Sequence, residues 1–194
     1  KQLGFPLGPI QLVDETSIEL GAKIARATRA AMGKSYPNDQ IDEILFWMED
    51  RGRLGRKTNA GFFNYNENGK REGFWTGLEE KYPLSKTTPN LTEVQHRLMF
   101  IQALEAVRAL EEGVLMDIRE GDVGAVLGWG FAPWSGGPLS WLDILGTPYA
   151  AERSQELCKT YGPRFDCPPL LADMGKNNEA FYERFSPEKL DKTF

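Results

Sequence analysis

The sequence predicts an all-α chain: two related helical units with one small β-ribbon between them. Three observations predict it. A phrase occurs twice, as Gly4-Phe5-Pro6-Leu7-Gly8-Pro9-Ile10-Gln11-Leu12-Val13-Asp14 and as Gly130-Phe131-Ala132-Pro133-Trp134-Ser135-Gly136-Gly137-Pro138-Leu139-Ser140-Trp141-Leu142-Asp143. Apolar residues recur at three- and four-residue steps through most of the chain, the helical period. Only Gly61-Phe62-Phe63-Asn64-Tyr65 and Phe74-Trp75, flanking Asn68-Gly69, read as strands around a hairpin turn.

Each copy of the phrase has a physical reading. Gly gives a tight turn its backbone freedom. Pro after Gly suits the first position of a helix, where a missing N–H costs nothing. The apolar residues that follow bury that helix. Pro9 and Pro138 lie 129 positions apart, as do Gly33 and Gly162, each of which ends the next helix. The chain therefore divides into a first unit over 1–75, a linker over 76–91 and a second unit over 92–194.

In the first unit, Ser17 is the expected N-cap of the second helix, with Glu19 in its first turn. Leu20, Ile24, Ala27 and Ala31 form its apolar face. Asn38 or Asp39 caps a third helix with the stripe Ile41, Ile44, Leu45 and Met48. The polar stretch 76–90, with Pro83 and Pro89, reads as a linker. In the second unit, Thr92 and Gln95 have the spacing of a capping box. The longest helix follows, with the stripe Val94, Leu98, Ile101, Leu104, Val107, Leu110 and Val114. A shorter helix over 120–127 runs into the second phrase. After Asp143 come a helix ending at Gly162-Pro163, another opened by Pro168-Pro169, and a loose polar tail from Ser186. The second unit has a long helix ahead of its phrase and the first has only Lys1-Gln2-Leu3. True copies imply that roughly 35 residues once preceded the first.

Bulk properties exclude several function classes. Hydrophobic residues make up 41% and charged residues 26%, enough for a buried core. A net charge of -5 argues against a nucleic-acid surface. Cys158 and Cys167, nine residues apart with no CxxC, read as two buried or idle thiols of a reducing compartment, with a disulfide as the lesser alternative. No apolar run reaches the roughly 18 residues of a membrane span. No signal-peptide pattern opens the chain.

Three motifs then occur in a linked order. They are the phrase itself, Gly52-Arg53-Leu54-Gly55-Arg56-Lys57-Thr58-Asn59-Ala60-Gly61-Phe62-Phe63, and a long helix with Arg97-Leu98, Leu104-Glu105-Ala106 and Glu111-Glu112-Gly113. Together they resemble the C-terminal domain of L-3-hydroxyacyl-CoA dehydrogenases. The tandem arrangement resembles the multifunctional enzymes of fatty-acid β-oxidation. This resemblance implies a helical fold of the 6-phosphogluconate dehydrogenase C-terminal type. It implies an NAD-dependent oxidation of 3-hydroxyacyl-CoA to 3-oxoacyl-CoA, with the NAD loop and the catalytic His–Glu pair in a Rossmann domain outside this sequence. The fragment is then expected to bind no NAD itself and to be inactive alone, serving as acyl-CoA cleft wall and oligomerisation scaffold. Implied partners are the acyl-CoA substrate, the Rossmann and enoyl-CoA hydratase regions, a second subunit in a homodimer, and a thiolase subunit. The compartment is the cytoplasm in a bacterium, or the mitochondrion or peroxisome in a eukaryote. The alternative is a free-standing helical dimerisation or acyl-CoA-binding module without catalysis.

No residue of the sequence is assigned a catalytic or metal-binding role. His96, the only histidine, reads as a helix-surface or interface residue rather than a general base. Glu105 points toward the apolar face of the long helix, and the resemblance implies a structural bond to the Gly-Phe-Pro turn. Asp14 and Asp143, at equivalent positions, read as braces for a cap or loop rather than an acid pair. Arg51, Arg53, Arg56 and Lys57 cluster either as a solvated helix end or as a contact to CoA phosphates. Substrate-binding candidates are Leu127, Phe5, Arg56 and Lys57. Trp75, Trp129, Trp134 and Trp141 read as core or interface.

Overall fold

Proline opens the helices that follow each turn. It stands at the start of α1 (Pro9–Thr16), α6 (Pro138–Leu145) and α8 (Pro169–Asn177), where its fixed φ is already helical. The computed structural model describes residues 1–36 and 40–186. The other helices are α2 (Ile18–Met32), α3 (Gln40–Asp50), α4 (Leu91–Glu111), α5 (Ile118–Gly128), α7 (Thr147–Tyr161) and α9 (Phe181–Arg184). Among the described residues the only sheet is an antiparallel ribbon of β1 (Phe63–Tyr65) and β2 (Arg71–Phe74). The fold is all-α with one small ribbon. The expected Asn38 or Asp39 cap and the tail beyond Ser186 lie outside the described residues.

Two units form, and their boundaries differ from 1–75 and 92–194. One comprises residues 7–87; the other comprises residues 1–6 and 88–194. Leu3 and Phe5 explain the assignment of the first six residues, because both pack on the core of the second unit. Phe5 meets Phe131 edge-on at 6.0 Å, and Trp134 Nε1 donates to the Leu3 carbonyl at 2.6 Å. The two Gly-Phe turns thus face each other. Gly130 has φ +76, and a Cβ there would lie 2.6 Å from Pro6 Cγ, so only glycine fits. At the other boundary, Thr76–Glu80 form a 3-10 turn instead of a linker, and Leu78 packs against the first unit's core.

The repeat is one of geometry. α1 and α6 each have 8 residues, α2 and α7 each have 15, and the starts Pro9 and Pro138, Ile18 and Thr147, are 129 positions apart. Gly33 and Gly162 occupy the C-caps of α2 and α7. The core of the 7–87 unit holds Ile18, Ala22, Leu45, Met48, Phe62, Phe63 and Tyr65. The second unit's core is larger and centres on Phe100, Leu104, Phe131, Leu139, Leu142 and Phe181.

Five local expectations are corrected. Helix α4 is capped by Asn90, whose side chain accepts from Glu93 N–H at 3.2 Å, and not by Thr92. Ser17 makes no side-chain cap bond to α2. On α2 the buried positions are Ile18, Ala22 and Ala25, while Leu20, Ile24, Ala27 and Ala31 are exposed. On α4 the buried stripe is Met99, Phe100, Ala103, Leu104 and Val107. That stripe turns Glu105 outward: its side chain is 75% exposed and pairs with Arg108 at 3.0 Å, with no bond to the Gly-Phe-Pro turn. The expected stripe ran along the edge of the buried face, where Leu98 and Ile101 are only half-buried.

Candidate functional site

The first unit closes on Asp14. This carboxylate ends the first phrase and is 1% exposed. Oδ1 accepts from Phe62 N–H at 2.8 Å; Oδ2 accepts from Phe63 N–H at 2.9 Å and from the Tyr65 hydroxyl at 2.9 Å. A buried carboxylate requires such partners. The glycines of the second motif leave it room. A Cβ at Gly61 would sit 2.2 Å from Asp14 Oδ1, and one at Gly55 (φ +104) would sit 2.4 Å from the Asp14 carbonyl. The motif Gly52–Phe63 is therefore a clasp around Asp14. Burial, and then the bond to Asp14, push the Tyr65 hydroxyl above the usual phenol range.

The basic cluster is dispersed by the same clasp. Arg53 donates to the carbonyls of Gly61 (2.8 Å) and Phe63 (3.2 Å) and to Asn64 Oδ1 (2.7 Å), and it lies over the Trp75 ring. Arg51 stacks on Trp47. Arg56 pairs with Glu15 of α1 at 3.0 Å, and Lys57 pairs with Glu19 of α2. Each of these four cations has a protein partner.

The second unit repeats the carboxylate logic. Asp143 accepts from Phe181 N–H at 2.7 Å and Tyr182 N–H at 3.1 Å, capping α9. Burial raises its pKa, against those two bonds. Asp122 on α5 is buried; it accepts from Leu139 N–H (2.8 Å) and Ser140 N–H (2.9 Å) of α6 and from the Tyr182 hydroxyl (3.0 Å). Asp122 and α9 were missed by sequence reasoning. The signal for Asp122 was available: a lone acid on the apolar face of α5, seven residues ahead of Trp129.

His96 belongs to an interhelical network. Its Nδ1 accepts from Arg153 Nε at 3.2 Å, and Arg153 also pairs with Glu93 and Glu156. The ring meets Phe100, Trp141 and Tyr149 edge-on. Burial, and then Arg153, hold its pKa below the usual imidazole value. This is an interface histidine between α4 and α7.

The substrate candidates fall in different units. Phe5 and Leu127 lie in the unit of 1–6 and 88–194; Arg56 and Lys57 lie in 7–87. Leu127 is 80% exposed at the end of α5, whereas Phe5 is half-buried on Phe131. Trp129 and Trp134 are also exposed, and Trp141 is buried. An open cleft of about 420 Å³ lies between α4, α8 and α9; its lining Arg184 is already held by Asp173 and Glu179. Both cysteines are free thiols. No group of three or more potential metal ligands occurs among the described residues. No described helix is long and apolar enough to cross a membrane.

Residues 1–65 match the family model of the 3-hydroxyacyl-CoA dehydrogenase C-terminal domain. The matched span begins with the first phrase, holds both clasp glycines and ends at Tyr65, the hydroxyl donor to Asp14. This span, about a third of the chain, is similar to a 3-hydroxyacyl-CoA dehydrogenase C-terminal domain. The Asp14 carboxylate accepts from backbone N–H groups and the Tyr65 hydroxyl within that same span.

The family is one of NAD-dependent dehydrogenases. A dinucleotide site needs a strand, a Gly-rich turn and a helix N-terminus to receive the pyrophosphate. Among the described residues the strands form only the antiparallel ribbon, and Gly128-Trp129-Gly130 closes a helix instead of opening one. These residues do not fit a dinucleotide.

Proposed function

We propose that the chain is the helical part of an NAD-dependent 3-hydroxyacyl-CoA dehydrogenase of fatty-acid β-oxidation, walling the acyl-CoA cleft and joining subunits. The match of residues 1–65 to the family's C-terminal domain carries this reading. The fate of the ionisable groups supports it. Asp14, Asp122 and Asp143 hold backbone N–H groups, Arg56 and Lys57 hold α1 and α2, and His96 accepts from Arg153. A general base must be within reach of the substrate proton with a free acceptor atom. The charge of this chain is spent on scaffolding, and hydride transfer belongs to an NAD-binding region outside residues 1–194. The repeat of α1–α2 in α6–α7 supports a tandem arrangement like that of multifunctional β-oxidation enzymes.

The test is an NADH assay with a 3-hydroxyacyl-CoA. The chain alone is expected to give no NADH. Adding a separately expressed NAD-binding region of such an enzyme is expected to restore formation, and Leu127→Asp is expected to raise KM in that mixture. NADH formation by residues 1–194 alone overturns the division of labour. Failure of every NAD-binding region to recruit the chain favours the non-catalytic module.

A further inference from the structure

The turn between β1 and β2 holds the one Asn-Gly pair of the sequence, Asn68-Gly69. Asn66 fastens that turn. Its N–H donates to the Lys70 carbonyl at 2.9 Å, and its carbonyl accepts from Gly69 N–H at 2.8 Å. Its Oδ1 accepts from Asn68 N–H and from Lys70 N–H, both at 3.0 Å. The two asparagines are therefore in opposite states. The Asn66 side chain is pinned by two backbone donors. Asn68 is exposed, and no hydrogen bond holds its side-chain amide among the described residues. Gly69 has φ +70, a conformation that selects glycine. The same lack of a Cβ leaves the Gly69 nitrogen unshielded beside the Asn68 amide carbon.

From this turn we propose that Asn68 is a self-modification site, where loss of ammonia creates a carboxylate that Arg56 receives. The Gly69 nitrogen attacks Asn68 Cγ. The N–Cγ bond forms, the Cγ–Nδ2 bond breaks, and the Gly69 amide proton leaves with Nδ2 as ammonia. A cyclic imide remains, and water opens it. Hydrolysis at Cγ gives aspartate on the original backbone; hydrolysis at the main-chain carbonyl gives isoaspartate. The net change is amide plus water to carboxylic acid plus ammonia, with no oxidant or reductant. The turn gates the first step, because the Gly69 nitrogen is free to attack only when its bond to the Asn66 carbonyl opens. Asn66 Oδ1, which holds the amides on either side of Gly69, is the latch.

Arg56 faces the product. Its bonds to Glu15 of α1 both leave from Nη1, at 3.1 and 3.0 Å. Its Nε and Nη2 lie 3.7 and 3.8 Å from where a Gly69 Cβ would be. A carboxylate formed at the turn meets this other edge of the guanidinium, whose planar fork can serve two carboxylates at once. Arg56 then ties the ribbon turn to α1. Such an exposed pair adds little stability; the change is one of local charge and geometry. All of these residues lie in the 7–87 unit, and the inference is independent of the proposed function.

The test holds the full chain at mildly alkaline pH and follows each asparagine by peptide mapping. Ammonia loss is expected at Asn68, as aspartate and isoaspartate. Asn59, Asn64 and Asn66, each followed by a residue with a side chain, are expected to stay intact. Asn66→Ala keeps the carbonyl and removes the latch, and is expected to speed the reaction by roughly tenfold, the effect of losing two turn hydrogen bonds. Asn68→Asp makes one product in advance. Carboxyl-carbon NMR of that variant is expected to place the new carboxyl below the ordinary aspartate range, and Arg56→Gln to return it there. An Asn68 that stays intact in the folded chain while a peptide of residues 64–72 reacts fully overturns the site. An unchanged rate in Asn66→Ala overturns the gate, whether or not amide exchange at Gly69 quickens. A carboxyl titration in Asn68→Asp that ignores Arg56→Gln overturns the pairing.

Discussion

Ser17 and Gly146 share one backbone conformation, φ 83°, ψ 123° and φ 83°, ψ 127°, at the joint between the two paired helices of each unit. Glycine reaches that region freely and serine does not. The Ser17 Oγ is also buried without a hydrogen-bond partner among the described residues. Ser17→Gly is therefore expected to stabilise the first unit by about 1 kcal/mol, and Gly146→Ser to destabilise the second by roughly 1–3 kcal/mol. Nothing lies within 4 Å of a Cβ at Gly146, so that cost is backbone strain alone. Urea unfolding of the two variants checks both signs.

The Asp14 clasp predicts a non-additive pair. Asp14→Ala removes an acceptor shared by two buried N–H groups and a hydroxyl, and is expected to cost roughly 3 kcal/mol or more. Gly61→Ala is expected to be comparably harmful, because its methyl would meet the carboxylate. In the double variant the methyl has space, so Gly61→Ala should add little to Asp14→Ala. A double-mutant cycle by chemical denaturation measures this coupling. Tyr65→Phe, which loses one of three donors, is expected to cost about 1 kcal/mol.

The His96 network predicts a pH dependence for the second unit. The folded pKa is depressed, by burial and by Arg153. The unfolded chain then takes up a proton more readily than the folded one. Stability is full above the unfolded value of about 6.5 and falls as pH drops from there toward the folded pKa. Protonated Nδ1 also turns from an acceptor to a donor facing Arg153 Nε. Thermal melts between neutral and mildly acidic pH should show this slope, and His96→Gln, which keeps an acceptor without titrating, should flatten it.

Glu19 predicts the same sign in a more acidic range. Hydrogen bonds from Lys23 and then Lys57 lower its pKa from 4.5 to about 2. The pair contribution is present above the ordinary carboxylate value and is lost as pH falls toward about 2. Carboxyl-carbon NMR titration should place Glu19 near that value. Lys23→Met with Lys57→Met should return it to the ordinary range, and high salt should move it partway, since the group is at the surface.

Much of the architecture was legible in the sequence. The doubled phrase, the Pro-opened helices and Gly33 with Gly162 set helix starts and stops through local rules, because caps and turns depend on a few neighbouring residues. Asp14 and Asp143 each accept from two backbone N–H groups, but the partners are not repeat equivalents: Phe62 and Phe63 at the ribbon for one, Phe181 and Tyr182 at the start of α9 for the other. The exposed Glu105, the outward stripe on α2 and the scattered Arg51–Lys57 cluster were not legible. Periodicity shows that a helix has an apolar side. It does not show which neighbour covers that side, and α2 carries two such sides.

The sequence by itself determined the helical class, the repeat and the single ribbon, because these follow from short-range propensity and spacing. Only the tertiary structure decided what the polar residues do. Gly55 and Gly61 read as loop glycines until Asp14 is found 2.4 Å and 2.2 Å from where their side chains would be. Asp122 read as one acid among many until the start of α6 closed on it. A buried carboxylate has a role only through the groups that satisfy it, and those groups lie 17 to 60 positions away in the chain.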